Sequence, residues 1–206
     1  MMGSVAGRVG GVFVQTEDAL EVFTDEAVSP DLSLTRYTIS DSAKRYWDKN
    51  SPVTVKVNGE VQASGYQLEH CGGVVVFDEA KDGDDEVLIS GSALVVEQHG
   101  GFFNWSAELG METPETTTFM SNGWKEYISS VKEYSASAES YWGDEEFFSR
   151  LGQEVIIALY IDTTASKTRY EGYGIISSDG IETTADDVVN DSIEIQGVGP
   201  LYYREG

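Results

Sequence analysis

The sequence predicts a mainly-β protein, made of antiparallel strands with one short helix. Short stretches in which apolar and polar side chains alternate recur along the chain, as in Val53–Val57, and such alternation is typical of strands with one buried face. The longest apolar run, Val155–Ile161, has the length of one strand. The sequence contains neither the heptads of a coiled coil nor a convincing internal repeat.

The first half of the chain predicts a flexible N-terminal arm and then a β-rich module. Residues 1–11 are small and glycine-rich, which predicts the arm, and residues 12–101 form the module, either separate from or integrated into the rest. The clearest element is a hairpin in which Val53–Val57 is followed by Asn58-Gly59, two residues that tolerate a positive φ. Other strands are expected over residues 12–23, 36–39, 66–68, 74–77, 87–91 and 93–97, and a short capped helix over residues 41–47.

The second half, residues 102–206, predicts a second β-rich part. Strands are expected over residues 102–109, 134–142, 155–160 and 170–176, with a proline-interrupted extended loop after the first of them. A helix is expected near residues 144–151, because acidic residues occupy its first turn and Arg150 its last. The last strand, Ser192–Gln196, is expected to end at Gly197–Pro200.

The chain is strongly acidic. Asp and Glu number 36 against 13 Lys and Arg, so the formal net charge is -23. Such a chain repels nucleic acid and anionic membranes, because binding their phosphates requires Lys and Arg. Two interpretations remain: a solvated surface in a very salty cytoplasm, and a negative wall along which a polyanion slides without sticking. The size of the excess favours both acting together.

The sequence predicts no enzyme, cofactor or metal site. His70 and Cys71 are adjacent and point to opposite faces of a strand, and with His99 they lack the spacing of a zinc site. The acidic stretch 78–86 lacks the ligand spacing of an EF-hand and is expected to be a solvated turn. The glycines of 172–174 lack the third glycine of a dinucleotide-binding loop, and no nucleophile motif is present.

Two further observations concern the environment of the chain. Cys71 is the single cysteine, so no intrachain disulfide is possible. No apolar segment has the length of a signal peptide or a membrane span, and we expect folding inside a cell. The 4 tryptophans and 11 tyrosines are expected first in the core, then at subunit contacts, and last in a sugar-binding surface.

Several motifs between Asn104 and Leu201 occur in a characteristic order. They are the loop Thr116-Thr117-Thr118-Phe119, the segment Gly123-Trp124-Lys125-Glu126-Tyr127-Ile128, a strand, a short helix and a strand, an acidic turn at Asp186-Asp187-Val188-Val189, and Gly197-Val198-Gly199-Pro200-Leu201. This order resembles the major tail tube proteins of long-tailed, siphovirus-like phages, whose loop reads Asp-Thr-Thr-x-Phe. The chain departs from that loop at Glu115 and Thr116, where an Asp is usual.

The resemblance covers about half of the chain, and the acidity adds the alternative of a tailed virus of halophilic archaea. The module over residues 12–101 resembles, more loosely, a β-module near the front of some tail proteins. The family resemblance implies a β-sandwich or barrel with one flanking helix. It also implies rings, usually of six subunits, that stack head-to-tail into a hollow tube for viral DNA.

The resemblance therefore implies a structural virion protein of the tail, assembled in the host cytoplasm, rather than an enzyme. Its partners would be other copies of itself, the tape measure and terminator proteins, and DNA that passes through the lumen without specific binding. One alternative is a tail terminator or another ring-forming tail protein. A second alternative is a carbohydrate-binding or adhesive β-sandwich module.

Two sets of site residues follow. We expect Thr116, Thr117, Phe119 and Trp124, in or beside the long loop, to contact neighbouring subunits.

Glu194 is the candidate residue for the wall of the lumen. In Ser192–Gln196 the alternation places Ile193 and Ile195 towards the core, which leaves Glu194 to the lumen or to solvent. A basic wall would hold DNA through counterion release, so an acidic residue suits a channel through which DNA passes.

Overall fold

The computed structural model describes residues 10–141, 146–164, 167–183 and 189–205, without the side chains of 16–18 and 146. All of the strand pairings that we describe are antiparallel, and helix is confined to short segments of the described residues, which confirms the mainly-β prediction. The strands are β1 Gly11–Pro30, β2 Arg36–Ile39, β3 Thr54–Val57, β4 Glu60–Val61, β5 Tyr66–Glu69, β6 Val74–Phe77, β7 Val87–Gln98, β8 Phe102–Met111, β9 Lys132–Tyr141, β10 Glu154–Tyr160, β11 Arg169–Glu182 and β12 Asn190–Arg204. A 3-10 helix covers Ser42–Lys44, and the α-helix α1 covers Glu146–Ser149.

The chain divides into two compact units. The front unit is Phe13–Gln98, and the rear unit consists of Met1–Val12 and His99–Gly206.

The front unit contains two sheets that share one hydrophobic core. In the first sheet β7 pairs with β1 and β3, and β3 pairs with β4. In the second, β6 pairs with β2 and β5, while the end of β1, Val28–Pro30, pairs with β2. β1 thus joins both sheets, and its ladder with β7 shifts register beside Asp25, whose φ is 51°. The core residues come from both sheets and from the segment after the 3-10 helix: Phe23, Tyr37, Ile39, Trp47, Val55, Val75, Phe77, Val87, Ile89 and Ala93.

The structure confirms the predicted hairpin and corrects the predicted helix in this unit. Asn58 and Gly59 join β3 to β4 with φ values of 52° and 82°, as a two-residue turn of this kind requires. The helix expected over residues 41–47 is only the single turn Ser42–Lys44, capped by Asp41. The helix stops there because the next residues are needed in the core: Trp47 is fully buried and forms a bridge with Ala93.

The rear unit is built on five strands in the order β10-β11-β12-β9-β8. Val155–Leu159 of β10 are all buried, and Tyr134, Ile193 and Ile195 place alternate side chains of β9 and β12 in the same interior. The hydroxyl of Tyr134 donates to the carbonyl of Tyr173. Among the strands that the structure describes, none pairs with the outer edge of β8, so this edge offers free backbone groups to a partner.

β12 corrects the expected end of the last strand. It continues past Gly197–Pro200 to Arg204, and it pairs with β11 as far as Val198 and again from Tyr202 to Arg204. Gly199 has a φ of 83°, and the register shifts between the pairs Tyr173–Val198 and Glu171–Tyr202. The segment is therefore a β-bulge, which accommodates the missing N–H of Pro200 without ending the strand.

The predicted helix near residues 144–151 is present in shortened form. α1 covers Glu146–Ser149, and the preceding residues 144–145 lie outside the described residues, as do residues 186–188 of the predicted acidic turn. Phe147 is buried, with its ring centre 4.8 Å from that of His99 and 5.8 Å from that of Phe102. Through Phe147, the helix thus packs against His99 and Phe102 at the start of β8. The described part of the predicted N-terminal arm is residues 10–11.

Candidate functional site

One face of the strands β8, β9 and β12 is polar and acidic. The ladders align its residues in three rows across the sheet. In each row the middle residue belongs to β9 and its neighbours to β8 and β12. The rows are Asn104–Glu139–Ser192, Ser106–Ser137–Glu194 and Glu108–Ser135–Gln196. We call these nine residues the polar face; it contains hydroxyls, amides and three carboxylates and no Lys, Arg or His.

The polar face is separate from the interior of the rear unit. Glu194 is exposed, whereas Ile193 and Ile195 on either side of it are 1% and 2% exposed, which confirms the predicted alternation. Eight of the nine side chains are exposed, and Ser137 is half-buried. Hydrogen bonds within the face include Ser106 to Ser137, with 2.9 Å between the two Oγ atoms. A polyanion near this face meets hydroxyls and carboxylates, with no cation to replace its counterions.

Residues 112–131, between β8 and β9, form a second surface feature, which we call the ribbon. Backbone hydrogen bonds continue the β8–β9 hairpin into it: the N–H of Glu112 donates to Val131 O at 3.0 Å, and that of Thr116 to Glu126 O at 2.8 Å. Every residue from 111 to 133 except Ser121 is exposed, so the ribbon does not pack against its own subunit. The predicted extended loop is thus a two-stranded projection.

The end of the ribbon, Thr118–Trp124, is an uncharged turn that we call the tip. The N–H of Ser121 donates to Thr118 O, and the N–H of Trp124 donates to Ser121 O. Phe119, Met120 and Trp124 are 109%, 87% and 79% exposed. The tip therefore presents three large apolar side chains to solvent.

The four predicted contact residues divide into two roles. Phe119 and Trp124 lie at the tip, whereas Thr116 and Thr117 hold the ribbon together. The Oγ1 of Thr117 accepts the N–H of Glu126 at 3.1 Å. Sequence reasoning missed Met120, which the turn exposes beside Phe119; its only signal was its position in an uncharged stretch of an acidic chain.

An ion pair stabilises the ribbon near its tip. The Nζ of Lys125 lies 2.8 Å from a carboxylate oxygen of Glu115, and this hydrogen bond lowers the pKa of Glu115. Glu115 is one of the residues at which the chain departs from the tail-tube loop motif. Here it pairs across the ribbon instead.

A cavity of about 280 Å³ lies at the start of β8. It is lined by the residues before and at the start of β1, by the first residues of β8 and by the end of β10, and none of these residues is charged. They are Gly10, Gly11, Val12, Phe102, Phe103, Asn104, Trp105, Tyr160 and Ile161. β8 and β10, the two outer strands of the five-strand order, therefore approach each other at this point.

The residues considered as metal ligands take part in packing or in hydrogen bonds. His70 packs edge-on against Trp47, and burial lowers its pKa. Cys71 is buried. In the acidic stretch 78–86, Asp85 accepts hydrogen bonds from the Nδ2 of Asn58 and the N–H of Asp82. Within the described parts of the chain, no three His, Cys, Asp or Glu side chains gather as a metal site would require, and no helix has the length and apolarity needed to cross a membrane.

No protein-family model matches the chain, and no curated protein matches it significantly. Among solved structures, the chain is similar to a chain in the tail of an empty gene transfer agent particle, obtained by helical refinement with C6 symmetry. The identity is 17% and the TM-score 0.42, over 53% of this chain and 87% of that chain. It is also similar to a chain in the virion of a native gene transfer agent particle, with 17% identity, a TM-score of 0.42, and coverage of 53% and 88%.

Proposed function

We propose that this chain is a structural protein of a virus tail, namely the major subunit of the tail tube. The observation that carries the proposal is the polar face. Duplex DNA carries about one negative charge per 1.7 Å of its axis, so a wall with Lys or Arg would retain it through counterion release. The nine residues of the polar face present carboxylates and hydroxyls in three registered rows without a single cation, which suits a wall along which DNA slides.

The open edge of β8 supports assembly into rings. An unpaired strand edge is a liability unless another strand covers it, and pairing between neighbouring copies removes it. When this edge pairs with a different surface of the next copy, the contact is head-to-tail. Such contacts close into rings or continue as filaments. We propose rings of six subunits, in which the polar faces together form the wall of the lumen.

The ribbon supports stacking of these rings. It projects from the rear unit with its apolar tip exposed, and such a tip is stabilised when a neighbouring copy covers it. The tape measure and terminator proteins would be the further partners in the tail. On this proposal the protein acts through its surfaces and performs no chemical reaction.

Negative-stain microscopy of the purified protein tests this function. We expect rings or hollow tubes at high protein concentration and molar salt. Single rings that never stack would favour a tail terminator. A monomer that retains a sugar would favour a carbohydrate-binding module, and a monomer at every salt concentration would contradict the proposed function.

A further inference from the structure

We infer that the ribbon tip of one subunit docks into the cavity at the start of β8 of a second copy. This inference rests on the proposed function, because it names the surface through which successive subunits of the tube would hold each other. The occupant is Thr118–Trp124, and the receiving site is the uncharged cavity bounded by β8, the end of β10 and Gly10–Val12.

The size of the cavity fits side chains. Pockets for small molecules usually have volumes of about 300–1,000 Å³, and this cavity, at about 280 Å³, falls just below that range. Its lining includes the aromatic residues Phe102, Phe103, Trp105 and Tyr160. Aromatic side chains bury large areas and pair favourably with other rings, so an incoming Phe119 or Trp124 finds suitable contacts there.

Charge restricts where two copies can touch. Each copy carries a formal net charge of -23, so most surfaces of two copies repel each other. The seven residues of the tip contain no charged side chain, and neither do the nine residues that line the cavity. The two surfaces can therefore meet without placing like charges against each other.

The position of the two surfaces excludes docking within one subunit. Trp105 lines the cavity, and Met111 ends β8 at the root of the ribbon, so about 20 Å of strand separates the two at about 3.3 Å per residue. The exposed, hydrogen-bonded ribbon adds further distance. A contact between two different surfaces is heterologous and repeats from copy to copy, which produces an extended assembly.

Disulfide cross-linking of the protein tests this contact. The double variant Met120→Cys with Ile161→Cys places one thiol at the tip and one in the cavity, while the native Cys71 is 1% exposed and stays inaccessible. Oxidation of the assembled double variant should give a ladder of covalent multimers. Each single variant alone should give monomers, and a mixture of the two single variants should give dimers without higher species.

The outcomes separate this inference from the proposed function. Hollow tubes in the microscope without a ladder would overturn tip docking and leave the tube subunit intact. Dimers of the Met120→Cys variant alone would also overturn it, since they require tips that meet each other. A ladder without hollow tubes would support docking and contradict the tail tube, and a protein that stays monomeric throughout would contradict both.

Discussion

At the scale of single residues, Tyr134 and two glycines determine how the rear unit packs. A Cβ atom at Gly197 would lie 2.3 Å from a ring carbon of Tyr134, and one at Gly172 would lie 2.5 Å from its hydroxyl. Tyr134 is 1% exposed, so its ring has no free space to move into. The absence of a side chain at these positions is therefore what lets the ring lie across β11 and β12.

Gly197→Ala should destabilise the protein by about 1–3 kcal/mol, the usual cost of an oversized side chain in a packed core. Thermal unfolding followed by circular dichroism measures this loss. Gly100→Ala is the matched control, because a Cβ atom there meets nothing within 4 Å. Equal melting temperatures for the two variants would show that the ring of Tyr134 does not depend on Gly197.

Glu194→Lys should leave folding and tube formation nearly intact, because the side chain is exposed on the polar face. In a virus that carries the change, genome ejection should be slowed or blocked, since each ring gains a circle of phosphate-binding cations. Ejection and tail length are the quantities to measure. Glu60→Lys, the same change at an exposed position outside the polar face, is the control. Normal infectivity with tails of normal length would show that Glu194 does not line the lumen.

At this scale the sequence was sufficient to predict the burial of a side chain where its position along a strand determines that burial. The alternation of Ile193, Glu194 and Ile195 follows from the two-residue period of a strand, and the structure agrees. The role of Gly172 and Gly197 could not be predicted, because the side chain that they accommodate, Tyr134, is distant in the sequence and meets them only in the folded sheet.

At the scale of elements, the ribbon is the part of the chain that we propose a neighbouring copy covers. Trp124→Ala should raise the protein concentration needed for assembly by about 30-fold, since removing a central aromatic anchor typically costs about 2 kcal/mol. The melting temperature of the unassembled protein should stay unchanged, because Trp124 is 79% exposed. Sedimentation across a concentration series measures the first effect and thermal unfolding the second.

Leu32→Ala is the matched control for Trp124→Ala. Leu32 is also an exposed apolar residue, but it belongs to the front unit and not to the ribbon. Assembly of the two variants at the same concentration would show that the tip contributes nothing to contacts between copies.

Helices, strands and turns could be predicted where short-range sequence patterns determine their ends. They could not be predicted where tertiary contacts determine them. The hairpin at Asn58-Gly59 could be predicted because Asn and Gly tolerate the positive φ values that its two-residue turn requires. The helix over residues 41–47 fails after one turn because burying Trp47 stabilises the front unit more than further helical turns would. β12 passes through Gly197–Pro200 because β11 supplies a partner for a bulge there, which the glycines and proline alone do not reveal.

At the scale of the whole molecule, we expect the net charge of -23 to affect both stability and the proposed assembly. Repulsion between carboxylates within a subunit and between neighbours is reduced by salt, whose screening length falls to about 3 Å at 1 M. We expect the melting temperature and the extent of assembly to rise from low to molar salt. A melting temperature that is flat or falling over this range would contradict the adaptation to high salt that the composition suggests.

The mainly-β class was predictable from the whole chain, because strand-length apolar segments dominate it. The ribbon as an ordered projection was not, because its backbone hydrogen bonds join residues such as Thr116 and Glu126, which local propensity does not pair. The cavity at the start of β8 depends on the approach of β8 and β10, and contacts of that range leave no pattern in the sequence.

A three-dimensional reconstruction of the assembled tubes by electron cryo-microscopy tests the central claim most directly. The quantity to measure is the distance of the polar face from the tube axis. We expect Glu194, together with Ser137 and Ser106 in its row, to face the lumen, while Ile193 and Ile195 point away from it. Tubes in which this face lies on the outer surface, or is buried between subunits, would contradict the proposed role of the protein as the wall of a DNA channel.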